Sequence, residues 1–160
     1  TYLMNPTELV TALQERLRTF NPEAIMAAAV HEPVSLTNGV THDALALDRL
    51  TNARVALLSS IGDPEGFEQT VRRGGASIIS HAIYPDHYRY AESEWRAVLA
   101  DAATSKMDAL VTTEKDLIRL QHLSTFGETS GVPIWVLGVS LRLMSGEEEL
   151  DDRLARVCPR

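Results

Sequence analysis

Two adjacent ionisable residues, Asp86 and His87, sit inside the tyrosine-rich stretch YPDHYRY, residues 84–90. Histidine titrates at about pH 6.5 when unperturbed, so it is the side chain best suited to moving a proton near neutrality. A nearby carboxylate can hold the ring or raise that value, although neighbours in sequence do not readily hydrogen-bond side chain to side chain. Asp86 is therefore expected to orient the loop or to meet another partner. The stretch also reads as a plain polar turn, since aspartate is a common turn former. His81, Asp86 and His87 lack the ligand spacing of a zinc site, which argues against a metal centre and against metal-dependent hydrolysis.

Two further groups could do chemistry. Thr112-Thr113-Glu114-Lys115-Asp116 combines a capping pair, Thr113 and Asp116, with a cation in the first helical turn, where the helix dipole disfavours it. Lys115 can serve a ligand's negative charge or be an ordinary solvated lysine. Ser59-Ser60-Ile61-Gly62-Asp63-Pro64-Glu65 sets a glycine turn before a helix start whose free N–H groups could hold an anion. Asp63 as N-cap and Pro64 as first helical residue explain the same stretch without a ligand. Neither GxxxxGK[ST] nor GxGxxG occurs, and Gly74-Gly75 reads as a helix stop.

The elements that must position these groups follow from periodicity. Asn5-Pro6-Thr7-Glu8 opens a helix over residues 6–20, with Leu9, Val10, Leu13, Leu17 and Phe20 at helical spacing. Residues 25–30 read as a short strand, and 32–52 as mixed, with a turn at Asn38-Gly39 and a helical turn or two within 45–50. From Arg54 onward, runs of strand length alternate with helical segments. Strands are expected at 55–58, 76–83, 109–111 and 133–139. Helices are expected from Asp63-Pro64 to Gly74, around Trp95 to Ala102, from Thr113 to Leu120, and over 147–157.

This alternation predicts an α/β fold, a mostly parallel sheet flanked by helices and joined by right-handed crossovers. Ligands in such sheets bind beyond the carboxyl ends of the strands, where all three chemical groups fall. With no internal repeat and no evident linker, residues 1–160 are expected to form a single α/β domain.

Composition narrows the partners. Of the 160 residues 44% are hydrophobic, yet no stretch approaches the roughly 18 uninterrupted apolar residues of a membrane span. Fifteen basic residues against 22 acidic ones give a net charge of −7, and the basic residues do not cluster beyond Arg72-Arg73, so nucleic acid is not an expected partner. The single cysteine, Cys158, excludes an internal disulfide and fits a reducing compartment. The start, Thr1-Tyr2-Leu3-Met4, has neither an initiator methionine nor a signal peptide, and leads to the expectation of a C-terminal piece of something longer.

Taken in order, IGDPEGF, YPDHYRY, ALVTTEKDLIRL and PIWVLGVSLRL resemble the C-terminal half of the tetraacyldisaccharide 4'-kinase family of lipid A biosynthesis. The likeness covers residues 54–154 well and the earlier residues loosely, including His31-Glu32-Pro33. It implies a P-loop-kinase-like protein of two α/β domains with the substrate cleft between them. The implied reaction moves the ATP γ-phosphate to the 4'-hydroxyl of a disaccharide-1-phosphate lipid at the cytoplasmic side of the bacterial inner membrane, with membrane contact through the full-length protein. In that family the Walker A loop, the Mg²⁺ ligands and a catalytic aspartate lie in the N-terminal half, so ATP and Mg²⁺ are expected to be held mainly outside this chain.

By the same resemblance His87 matches the histidine that pairs with that aspartate, and Asp86 its neighbour. Thr113, Glu114, Lys115 and Asp116 match a TEKD motif implied to meet substrate or nucleotide. Two departures stand out: Ser59-Ser60 precedes Ile61-Gly62, and Gly66 lies inside the DPExF helix start, where it weakens the helix by about 1 kcal/mol relative to alanine. Two functions follow. Either the chain is the C-terminal domain of a lipid kinase, inactive alone, or it is a non-enzymatic α/β binding module that keeps the family fold.

Overall fold

The apolar runs form one sheet. In the computed structural model, which describes residues 6–128 and 131–158, its six strands are β1 (Ala28–Asn38), β2 (Ala44–Leu45), β3 (Arg54–Ser59), β4 (Ser77–Ile83), β5 (Ala109–Thr113) and β6 (Ile134–Ser145). They lie in the order β2-β1-β6-β5-β3-β4. β3 pairs in parallel with β4 and with β5, and β5 in parallel with β6, whereas β1 and β2 are antiparallel. The helices are α1 (Pro6–Phe20), α2 (Pro64–Arg73), α3 (Glu92–Thr104), α4 (Glu114–Leu120) and α5 (Glu147–Val157), with a 3-10 turn at Leu47–Leu50. The expected mostly parallel α/β sheet flanked by helices is therefore present.

Two compact units share these elements. One draws on residues up to Val30 and from Leu141 onward; the other is His31–Ser140. Within His31–Ser140 both faces of the sheet are covered, which is why its central strands read as continuous apolar runs. Successive strand side chains point to opposite faces. Val55 and Leu57 accordingly pack with Phe67 and Val71 of α2, while Ala56 and Leu58 pack with Trp95 and Leu99 of α3 and Leu120 of α4. Helix α2 thus leaves the end of β3 toward one face, and α4 leaves the end of the adjacent β5 toward the other. Such a divergence opens a crevice at the carboxyl ends of the two strands.

The helix boundaries follow from capping. The Asp63 carboxylate accepts the Gly66 N–H at 2.9 Å and Pro64 occupies the first turn of α2. Gly75 ends that helix with φ of 89°, and a Cβ there would approach Thr51 Cα to 3.2 Å, so both conformation and space call for glycine. In the other unit α1 forms as expected, but Leu9, Leu13 and Phe20 are exposed.

Two strands differ from expectation. β1 begins at Ala28 and runs through the stretch expected to be mixed, and β6 continues past Val139 to Ser145. β1 is half-exposed along its length, and β6 is buried only from Ile134 to Gly138. Neither stretch carries a buried apolar run to mark it: His31 interrupts β1, and in β6 Leu141 and Met144 are exposed beside Ser140 and Arg142.

Candidate active site

Asp116 is the fixed point of the crevice. It lies in the first turn of α4, wholly buried. Its Oδ2 accepts from the Ser60 N–H at 3.1 Å and from the Thr113 hydroxyl at 2.7 Å. Its Oδ1 accepts from the Ser60 hydroxyl at 2.5 Å, the Tyr90 hydroxyl at 2.9 Å and Arg119 Nη1 at 3.3 Å. A buried carboxylate needs this many donors to offset its lost hydration. The donors come from the end of β3, the tyrosine-rich loop and α4, so one side chain ties the three junctions together. Burial, with the Asp116 charge adding to it, pushes the Tyr90 phenol up from its ordinary range.

The loop is built by its aromatic residues. Tyr84, Tyr88 and Tyr90 pack on one another with ring centroids 4.8 to 5.7 Å apart, and the Tyr88 hydroxyl donates to Glu94 of α3 at 2.8 Å. The Tyr88 N–H closes a turn on the Pro85 carbonyl at 3.1 Å. His87, third in that turn, has φ of 61°, a left-handed conformation that histidine adopts more readily than most residues. Asp86 Oδ1 accepts the His87 backbone N–H at 2.9 Å. Its Oδ2 stands 3.6 Å from His87 Nε2, longer than a hydrogen bond. The His87 side chain is 74% exposed, and its Nδ1 lies 3.2 Å from Arg119 Nη2.

The TEKD residues divide between two settings. Thr113 caps α4, accepting the Asp116 N–H at 3.2 Å, and also lines a cavity of about 200 Å³ with Glu114 and Lys115. Ile61, Phe67, Leu137 and Val139 give the cavity apolar walls, and His31 also lines it. His87 and Asp86 do not line it. Glu114 and Lys115 are exposed, whereas Asp116 has no free face for a ligand and stands behind the site.

Among the described residues no group of three or more His, Cys, Asp or Glu could hold a metal ion. Asp116, with both oxygens committed to internal donors, does not supply a Mg²⁺ ligand.

Sequence reasoning missed Ser60, Tyr90 and Arg119. The signal for Arg119 was available: it follows Asp116 by three positions, on the side of α4 that carries the buried Leu117 and Leu120. A cation beside apolar neighbours calls for an internal partner. Outside this cluster, His81 Nε2 meets the buried Ser59 hydroxyl at 2.9 Å and its Nδ1 faces Glu68 at 3.4 Å. Burial pushes the pKa of that ring down, and Glu68 opposes the shift.

The family model for tetraacyldisaccharide-1-P 4'-kinase matches residues 5–159. A tetraacyldisaccharide 4'-kinase of Anaeromyxobacter dehalogenans (strain 2CP-C) is 36% identical over 144 residues, covering 88% of this chain and 38% of that protein. One from Rhizobium meliloti (strain 1021) is 40% identical over 101 residues, 63% of this chain and 28% of that protein. The crystal structure of an "apo" form of LpxK from Aquifex aeolicus in complex with ATP aligns with a TM-score of 0.44 at 20% identity, covering 88% of this chain and 40% of that one. The chain spans under two-fifths of the length of these relatives. Matched almost from end to end, it belongs to the tetraacyldisaccharide-1-P 4'-kinase family.

Proposed function

We propose that this chain is the C-terminal part of a lipid kinase that transfers the ATP γ-phosphate to the 4'-hydroxyl of a tetraacyldisaccharide 1-phosphate. In this reading His87 belongs to the catalytic dyad, and the rest of the protein supplies the phosphate loop, the Mg²⁺ site and the carboxylate base. The carrying observation is His87 itself: an exposed ring on a braced turn at the carboxyl edge of the sheet, one nitrogen against Arg119 and the other hydrogen-bonded to none of the described residues, with Asp86 Oδ2 3.6 Å away.

Phosphoryl transfer depends on alignment and charge compensation rather than on covalent chemistry. An imidazole held at one nitrogen can present the other to a carboxylate base and keep it aimed at the attacking hydroxyl. Asp86 supports the turn that carries His87. Lys115 lines the cavity wall with Glu114 and Thr113, and in this reading it meets substrate or nucleotide phosphate as a point charge. The reaction is assigned to the cytoplasmic side of the bacterial inner membrane, with membrane contact made by the full-length protein. Among the described residues no helix is long and apolar enough to cross a membrane.

In the full-length protein, His87→Ala is expected to lower turnover by about 10²–10⁴-fold. His87→Asn is the companion variant, because asparagine tolerates the left-handed backbone and keeps the turn. Unchanged 4'-phosphorylation by both folded variants would refute the dyad. The 160-residue chain alone is expected to show no kinase activity, and measurable turnover from it would overturn the division of labour.

A further inference from the structure

We propose that Arg119 is a positioning residue that fixes the His87 ring with its proton on Nε2, the tautomer the dyad requires. The inference rests on the proposed role of His87 and extends it to a residue outside the DH and TEKD motifs.

A guanidinium has five N–H donors, no acceptor, and a permanent charge. Where Arg119 Nη2 faces His87 Nδ1 at 3.2 Å, Nδ1 can take part only through its lone pair. A neutral imidazole has one N–H, which must then sit on Nε2. The opposite tautomer would set two donors against each other and leave Nε2 an acceptor, unable to donate to a carboxylate. The carboxylate of this chain that faces Nε2, Asp86, stops short at 3.6 Å. Among the described residues none accepts from Nε2, which leaves Nε2–H for a further partner.

Arg119 can impose this choice because it is itself held. Its Nη1 reaches the Ser60 hydroxyl at 2.9 Å and Asp116 Oδ1 at 3.3 Å, and only 22% of its side chain is exposed. Asp116 is fixed in turn by Ser60, Tyr90 and Thr113. A ring on an exposed turn is therefore oriented from a fully buried carboxylate through one planar fork. A supporting shell of this kind is what holds catalytic groups to productive geometry.

The ring nitrogens of His87 report on this directly in nuclear magnetic resonance spectra of the full-length protein carrying isotope-labelled histidine, with His87→Asn giving the assignment. In the neutral ring the wild type is expected to show an unprotonated Nδ1 and a proton on Nε2. Arg119→Met removes the fork and its charge and is expected to let the Nδ1–H form appear. Arg119→Lys keeps a cation for Asp116, and so the fold, but one ammonium cannot span both Asp116 and His87. It is expected to behave like Arg119→Met in the ring spectrum, with kcat falling about 10–100-fold, the range typical of lost outer-shell partners, and KM for both substrates unchanged. A proton on Nδ1 in the neutral wild type, or a ring spectrum unchanged in folded Arg119→Lys, overturns the proposal. The ring spectra stand apart from turnover: full activity in His87→Ala would remove the dyad while leaving Arg119's hold on the ring intact.

Discussion

Replacing Asp116 by asparagine keeps the shape of the side chain and removes its charge and one acceptor. If the amide nitrogen takes the Oδ2 place, it meets the Ser60 backbone N–H, now 3.1 Å away, donor against donor. If it takes the Oδ1 place, it meets Arg119 Nη1 instead, at 3.3 Å. The hydroxyls of Ser60, Thr113 and Tyr90 can turn to accept; the backbone amide and the guanidinium cannot. One buried clash is therefore forced in either orientation, and Arg119 loses its counter-charge. Removing one member of a buried ion pair costs about 3–5 kcal/mol, and the low end applies because Arg119 keeps 22% of its side chain in solvent. At a urea dependence of about 2 kcal/mol per molar, a loss of about 3 kcal/mol lowers the unfolding midpoint by about 1.5 M. Asp116→Asn combined with Arg119→Met is expected to recover part of that loss, since neither charge is then stranded. A midpoint shift below about 0.5 M in Asp116→Asn would refute the reading of Asp116 as the anchor of the site.

Stability should also depend on His81 and on Gly75. Burial lowers the His81 pKa in the folded chain, so the unfolded chain takes up the proton first as pH falls. The resulting stability is complete above about pH 6.5 and is lost on acidification from there through the folded value. Urea midpoints between neutral and mildly acidic pH should fall in the wild type and fall less in His81→Gln; parallel pH profiles would sink the assignment. Gly75→Ala must hold a side chain at φ of 89° and 3.2 Å from Thr51 Cα, at a cost of about 1–3 kcal/mol. A thermal unfolding midpoint equal to that of the wild type would show the turn to be more forgiving than its geometry implies.

The sequence marks elements well where a local signal and a buried face coincide. Asp63 and Thr113 each cap a helix within hydrogen-bond reach of the chain three residues on, and both helices begin where expected. Val55 to Leu58 reads as a strand because both its faces meet helices. β1 is less legible because its pairing with β2 is brief, Leu36 with Leu45 and Thr37 with Ala44, and its other neighbour, β6, is far away in the sequence. Only Leu36 is fully buried along it, and polar residues such as His31 and Glu32 break its pattern. What makes it a strand is pairing, a property that periodicity does not carry.

The site was legible in the same uneven way. His87 and the TEKD residues are visible because reactive types at a helix start or in a turn declare themselves locally. Ser60 and Tyr90 are not, because their meaning lies in a carboxylate 56 and 26 positions away. Yet the constraint that binds them is already in TEKDLIRL. Glu114, Lys115 and Ile118 are exposed, while Asp116, Leu117 and Leu120 are buried, so this aspartate belongs to the inward side of its helix. An inward carboxylate must be met by donors, and Arg119, three residues on, can only donate. Once its fork is anchored on Asp116, whatever lies at the other prong must accept, and the structure puts His87 Nδ1 there. A ring on an exposed turn is thus tied, through Arg119, to a carboxylate that never reaches solvent.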